Sequence, residues 1–317
     1  MTTTQLTHHD VPTSPDNPVL AELLGASKQF GKGATRVQAV SDLDLEVRSG
    51  ELLALLGPNG AGKSTAIGML TGLTAPTSGT ARLFGRDPRD VPARRRLGVM
   101  LQASGVPDTL RVRELLTQFR GYYPAPLSMA QVVTAAGLGG LENRMFGELS
   151  GGQQRRVMFG IAVAGDPDLL VFDEPTTGLD VEARRALWAT LRELAGSGRG
   201  VVLTTHYLEE ADALADRIVV IDRGVVIAQG TPGEIKARVP GRRVRAHTSV
   251  SPSVASQWPG VARASREGPW LELLARTAEP ALRALLDLDP CATDVTVTEP
   301  SLEEAFLALT TDTEAAR

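Results

Sequence analysis

One short run constrains this chain more than any other feature. Gly57-Pro58-Asn59-Gly60-Ala61-Gly62-Lys63-Ser64-Thr65 follows the compact apolar segment Glu51–Leu56. It precedes a stretch with Ala66, Ile67, Met69 and Leu70 at helical spacing. An apolar segment of that length reads as a buried parallel strand, so the order is strand, glycine-rich loop, helix. The run satisfies G-x-x-x-x-G-K-[ST] at every position. Glycines let successive backbone N–H groups turn inward around an anion, and the helix that follows presents its positive end to the same anion. Lys63 supplies a mobile charge for β- and γ-phosphates, and Ser64 a hydroxyl for Mg²⁺. A glycine turn that only caps a helix is the competing reading, and the strand before and helix after argue against it. The expectation is an α/β fold built on a phosphate-binding loop, or P-loop.

A second element agrees. Leu169-Leu170-Val171-Phe172-Asp173-Glu174 is an apolar strand ending in two carboxylates. Next to a phosphate site, Asp173 is expected to hold Mg²⁺ and Glu174 to polarise the water that attacks the γ-phosphate. Alone, a strand ending in Asp-Glu is common; beside a P-loop it gains meaning.

Composition excludes several alternatives. With 33 basic and 37 acidic residues the net charge is −4, so there is no strong nucleic-acid footprint and no nucleic-acid partner is expected. The basic run Arg94-Arg95-Arg96 reads as a solvated face. Cys291 is the single cysteine, which rules out an intrachain disulfide. No stretch reaches the 18 or so apolar residues of a spanning helix, and no secretory signal is visible. A membrane role would therefore run through a partner.

Along the chain, residues 1–18 read as a disordered leader, and His8 and His9 within it as solvent-exposed rather than metal-binding. Strand character begins at Val19. Val40–Val47 alternates apolar and polar residues. Residues 103–165 read as mainly helical, interrupted by Pro124 and Pro126. Leu97–Leu101, Leu169–Phe172 and Val201–Thr205 read as strands, and Ile218–Ile221 with Val225–Ala228 as a hairpin turning at Asp222-Arg223-Gly224. Composition shifts after Pro240. Residues 241–317 read as a small α+β domain of order β-α-β-β-α-β, followed by a helix opened by Ser301 with Glu303 and Glu304 in its first turn.

Leu149-Ser150-Gly151-Gly152-Gln153 decides the class. Together with the P-loop and Asp173-Glu174, in that chain order, it resembles the signature of ATP-binding cassette (ABC) ATPases over residues 19–238. The resemblance implies a P-loop NTPase fold with a β-subdomain and a helical subdomain at about 103–165, with ATP and Mg²⁺ as ligands. It also implies an ATP-dependent homodimer, each nucleotide lying between the P-loop of one copy and Ser150–Gln153 of the other. Phe30 matches the aromatic that stacks on adenine. Gln102 matches the glutamine that contacts Mg²⁺ and the attacking water and opens the segment facing the transmembrane partner. Asp180, in Gly178-Leu179-Asp180, matches the loop that reaches across the dimer, and His206 the histidine that contacts the γ-phosphate. Metal contacts are thus expected from Ser64, Gln102 and Asp173.

The ending Pro300-Ser301-Leu302-Glu303-Glu304-Ala305-Phe306-Leu307-Ala308-Leu309 and the segment Thr205–Ala211 resemble ATPases of drug and polyketide-antibiotic exporters, the daunorubicin-exporter type. That likeness implies ATP hydrolysis coupled to export of a drug, antibiotic or lipid-like substrate through a separate multi-span membrane permease. The chain would then sit at the cytoplasmic face of the cell membrane. Two readings compete. A soluble cassette acting on ribosomes would usually carry two cassettes, and only one P-loop is present. A DNA-repair or chromosome-structuring ATPase would need a long coiled coil between Thr65 and Ser150, where there is neither length nor a heptad pattern.

Overall fold

The computed structural model describes residues 17–102, 105–238 and 241–315, with backbone only for Ala34 and 311–315. The expected leader, with His8 and His9, lies outside the described residues apart from Asn17 and Pro18. In chain order the elements begin with β1 (Val19–Phe30), β2 (Val37–Arg48), β3 (Leu52–Leu56), α1 (Lys63–Leu70), β4 (Ser78–Leu83), α2 (Val91–Arg94) and β5 (Leu97–Met100). Then come α3 (Val112–Arg120), α4 (Met129–Ala135), α5 (Gly151–Val163), β6 (Leu169–Asp173), α6 (Val181–Gly196), β7 (Gly200–Thr204), α7 (Leu208–Leu214), β8 (Arg217–Asp222), β9 (Val225–Gly230) and α8 (Pro232–Ala237). The chain closes with β10 (Arg242–His247), α9 (Pro252–Ala255), β11 (Val261–Glu267), β12 (Trp270–Ala275), α10 (Ala278–Leu288), β13 (Thr293–Thr298) and α11 (Leu302–Ala315). The described residues form two compact units, one from 17–206 and 214–226, the other from 207–213 and 227–315.

The first unit is built on two sheets. One is antiparallel, in the order β2-β1-β4, and the other runs β5-β6-β7-β3-β8 with the β8–β9 hairpin at its edge. Strands β5, β6, β7, β3 and β8 pair in parallel. Their sequences are nearly continuous apolar runs because both faces are covered: every residue of β3, β6 and β7 is buried. Leu23, Leu43 and Leu83 of the antiparallel sheet share a core with Leu53, Leu55 and Ile221 of the parallel one, and Ile67, Met69 and Leu70 of α1 join it.

The alternation expected over Val40–Val47 holds with one slip. Val40, Leu43, Leu45 and Val47 are buried, and the extra residue between the first two is absorbed at Asp42, which has a φ of +48°. That is a β-bulge, and the pairing of β1 with β2 shifts register there. The turn between β8 and β9 is as expected, with Arg223 at φ +47° and Gly224 at φ +82°, the pair of positive φ values that a tight hairpin needs. Beneath the parallel sheet, Glu51 is buried and forks onto the Arg217 guanidinium at 2.6 and 3.1 Å, the geometry that makes such a pair tolerable.

The helical segment is α3, α4 and α5. Ser128 opens α4 and Ser150 opens α5 with reciprocal capping boxes to Gln131 and Gln153. Phe159 of α5 stacks on Phe172 of β6, ring centroids 5.4 Å apart, which packs the helical segment against the parallel sheet. The arginine run stays exposed, yet two members have partners: Arg94 donates to the carbonyls of Pro88 and Gly72, and Arg96 pairs with Asp168 at 2.7 Å and lies over the Phe84 ring.

In the second unit, β10 to β13 form an antiparallel sheet in the order β11-β12-β10-β13. The element order is the β-α-β-β-α-β expected, with α11 last. Val244, Ala246, Leu271, Leu273 and Ala275 pack on Ala281 and Leu285 of α10 and Ala255 of α9. Ser301 and Glu304 cap α11 reciprocally, and Glu304 also binds Arg243 of β10 at 2.7 Å.

Candidate active site

The loop between β3 and α1 is shaped by close approaches. A Cβ on Gly57 would lie 2.2 Å from the Ile221 carbonyl oxygen, and one on Gly62 2.6 Å from that of Ala39. Gly62 also has a φ of +107°, in the region that favours glycine. Only glycine lets the loop lie this tightly between β8 and β2. Lys63 folds back along it, donating from Nζ to the carbonyls of Gly57 at 2.6 Å and Pro58 at 3.1 Å. Burial pushes its pKa below the ordinary lysine value, while the Glu174 and Asp173 carboxylates act the other way.

A cleft of about 400 Å³ opens above this loop, lined by Ala39, Asn59, Gly60, Ala61, Gly62, Lys63, Ser64, Thr65, Gln102, Asp173 and Glu174. Its wall is largely polar, as phosphate binding requires. A separate apolar cavity of about 70 Å³, near Leu127, Phe159 and Leu194, has no such chemistry. Parallel β3 and β6 deliver their C-terminal ends to the same edge of the sheet, which is why the P-loop and the carboxylates meet.

Glu174 is the most constrained residue of the cleft. It has a φ of +51°, unusual for a residue with a side chain and costing on the order of 1–2 kcal/mol. Its backbone N–H donates to both the carbonyl and the hydroxyl of Thr204, each at 3.1 Å. Its carboxylate is mostly buried and ringed by donors: Gln102 Nε2 and Thr177 Oγ1 each lie 3.3 Å from Oε2, and His206 Nδ1 lies 3.3 Å from Oε1. Asp173, almost fully buried, accepts from the Thr204 hydroxyl.

Residues far apart in sequence therefore converge, with Asn59–Thr65, Gln102, Asp173 and Glu174 in one cleft and His206 joined through Glu174. The remaining candidates lie elsewhere. Gly57 and Pro58 serve the cleft through carbonyls that hold Lys63. Phe30, at the end of β1, is 46% exposed with the Lys28 ammonium 5.2 Å from its ring centroid, and does not line the cleft. Ser150 caps α5, its hydroxyl accepting from Gln153 N–H while the Gln153 amide oxygen accepts from Ser150 N–H. Gly151 has open space where a side chain would be. Asp180 is exposed and caps α6 by accepting from Ala183 N–H at 2.8 Å. The two loops are neighbours, since a Cβ on Gly152 would lie 3.5 Å from Leu179.

Sequence reasoning missed Thr204, Thr177 and Ala39. The first had a visible signal: in Val201–Thr205 the only polar side chains sit at the end of an otherwise apolar strand, just before His206. The donor set of the cleft also fits Mg²⁺. One carboxylate, one hydroxyl and one amide oxygen beside a triphosphate suit a cation that keeps water and phosphate oxygens among its ligands.

The ABC transporter family model matches residues 40–177. The daunorubicin/doxorubicin resistance ATP-binding protein DrrA of Streptomyces peucetius is 40% identical over 290 residues, covering 86% of this chain and 88% of the relative. The Nod factor export ATP-binding protein I of Rhizobium sp. (strain N33) is 36% identical over 307 residues, 92% and 97% of the two chains. Among solved structures, the dimeric post-hydrolysis state of an ATP-binding cassette bound to ADP and Pi aligns with a TM-score of 0.61 at 25% identity, covering 67% of this chain and 98% of that one. The chain belongs to the ABC transporter family, as an ATP-binding subunit of a P-loop ATPase fold. Its reaction is hydrolysis of ATP to ADP and phosphate in the service of transport.

Proposed function

We propose that this chain energises an exporter of drug-like, antibiotic or lipid-like molecules, working as an ATP-dependent pair docked on a separate multi-span permease at the cytoplasmic face of the membrane. The observation that carries the reading is Glu174: a mostly buried carboxylate at positive φ, ringed by Gln102, Thr177 and His206, at the mouth of a P-loop cleft. The likeness to a daunorubicin/doxorubicin resistance protein supports the class of cargo. Among the described residues no helix is long and apolar enough to cross a membrane, which supports a separate permease.

In this reading the phosphates lie on the N–H groups of Asn59–Thr65, and the helix end of α1 and Lys63 offset their charge. Ser64, Asp173 and Gln102 would hold Mg²⁺, which would supply charge stabilisation to the β- and γ-phosphates. Glu174 accepts a hydrogen bond from the attacking water and draws its proton off as the oxygen adds to the γ-phosphorus, while the bond to the β–γ bridging oxygen breaks. Gln102 and His206 hold the carboxylate and face the same phosphate. Phe30 offers a ring face to adenine. Ser150, Gly151, Gly152 and Gln153 of the second copy begin a helix whose first N–H groups lack i−4 partners; with Asp180 nearby they close the site from the other side. ATP then joins the two copies, and loss of the γ-phosphate loosens them.

The test is Glu174→Gln, which keeps shape and removes the base. ATP binding should persist, turnover should fall by two orders of magnitude or more, and a dimer should elute from size exclusion with ATP and Mg²⁺. Turnover near the wild-type rate, or monomer alone under those conditions, would overturn the reading.

A further inference from the structure

The geometry points to Thr204 as a positioning residue for hydrolysis, a clamp that sets both carboxylates of the site through one hydroxyl. The inference rests on the assignment of Glu174 as the base.

Thr204 ends β7, next to β6 in the sheet, with Asp173 and Thr204 in register. It is fully buried. Its hydroxyl has one proton, and that proton goes to Asp173 Oδ1. The lone pairs of the same oxygen accept the Glu174 N–H, which the Thr204 carbonyl also accepts. A hydroxyl can do both at once because it carries one donor and two acceptor sites. Two consequences follow. Asp173 has one oxygen tied down, so its other oxygen has a defined direction. Glu174, whose backbone would otherwise relax from φ +51°, is held by two acceptors on one neighbouring residue. Two positions along, His206 grips the Glu174 carboxylate from the same segment. The end of β7 therefore holds the base at both its backbone and its side chain.

Shape alone would not need this residue. Valine has nearly the same volume and suits a buried strand equally well, but it lacks the donor and the acceptor. Serine keeps the hydroxyl and loses the methyl group. The two variants thus separate positioning from packing. T204V should lower kcat for ATP hydrolysis by roughly tenfold to a hundredfold, with ATP affinity, measured by fluorescent-nucleotide displacement, within about twofold of wild type. T204S should restore most of kcat. Wild-type kcat in T204V, or T204S impaired as much as T204V, overturns the inference. If T204V does not fold, T204A against T204S gives the same comparison. Glu174→Gln measured in parallel keeps the two ideas apart. If it still turns over, the base assignment fails; if it is inactive while T204V is normal, only the clamp fails.

Discussion

At the residue scale, Lys63 shows how burial and charge are balanced. Its ammonium is partly desolvated, which lowers its pKa, and the nearby Glu174 and Asp173 only partly oppose that. The charge is held in the P-loop by the Gly57 and Pro58 carbonyls. Lys63→Ala removes a charge-assisted contact worth about 1.5–3 kcal/mol, and ATP affinity by titration calorimetry should fall roughly tenfold to a hundredfold. The sign with pH follows from the lowered pKa. The lysine loses its charge at lower pH than an exposed one, so affinity should decline with rising pH below the ordinary value of 10.5. Lys63→Ala should flatten that decline. Lys63 and Ser64 are legible in the sequence because a short loop brings its own residues together. Thr204 is not, because only the pairing of β7 with β6 sets it beside Asp173 and Glu174; Thr177 is near Glu174 in sequence, but only the turn after β6 brings its hydroxyl to the carboxylate.

At the scale of elements, end-capping organises the molecule. Ser128, Ser150, Thr231 and Ser301 each cap a helix reciprocally with the residue three positions on. That spacing is local, so it is readable from sequence; the final helix was expected to open at Ser301 on this ground. What α11 does with its cap was not readable. Burial raises the pKa of Glu304, but bonds from Ser301 and Arg243 outweigh it and hold the group below its ordinary value. A carboxylate with a depressed folded pKa adds stability above its unfolded pKa, and that stability is lost as pH falls through the folded pKa. Glu304→Gln should therefore lower the melting temperature at neutral pH by a few degrees, roughly 2–4 °C. The difference from wild type should shrink below about pH 4. Thermal unfolding at the two pH values checks it.

At the scale of the whole molecule, the proposed function makes the cleft half of a catalytic site. Its P-loop side is complete in one chain, while Ser150–Gln153 lie outside the cleft that Lys63 lines. Among the described residues no helix is long and apolar enough to cross a membrane, and the proposed permease is tested by where the chain goes. Co-expressed with its permease, the chain should move to the membrane fraction and co-purify with it; expressed without it, the chain should not. Fractionation and immunoblotting decide, and attachment to ribosomes instead would revive the competing reading.

The sequence by itself determined the P-loop, the carboxylate pair, the signature, the strands and helix they border and the order of the C-terminal elements. Each is set by neighbours within a few residues: glycines where the backbone must turn, apolar runs where both faces are buried, a cap three positions from its partner. Tertiary structure alone decided that Thr204 joins Asp173 and Glu174, that Glu174 sits at positive φ, that Asp42 bulges β2, and that Arg243 holds Glu304. Those depend on which elements lie beside one another, and that is fixed by packing between residues far apart in sequence.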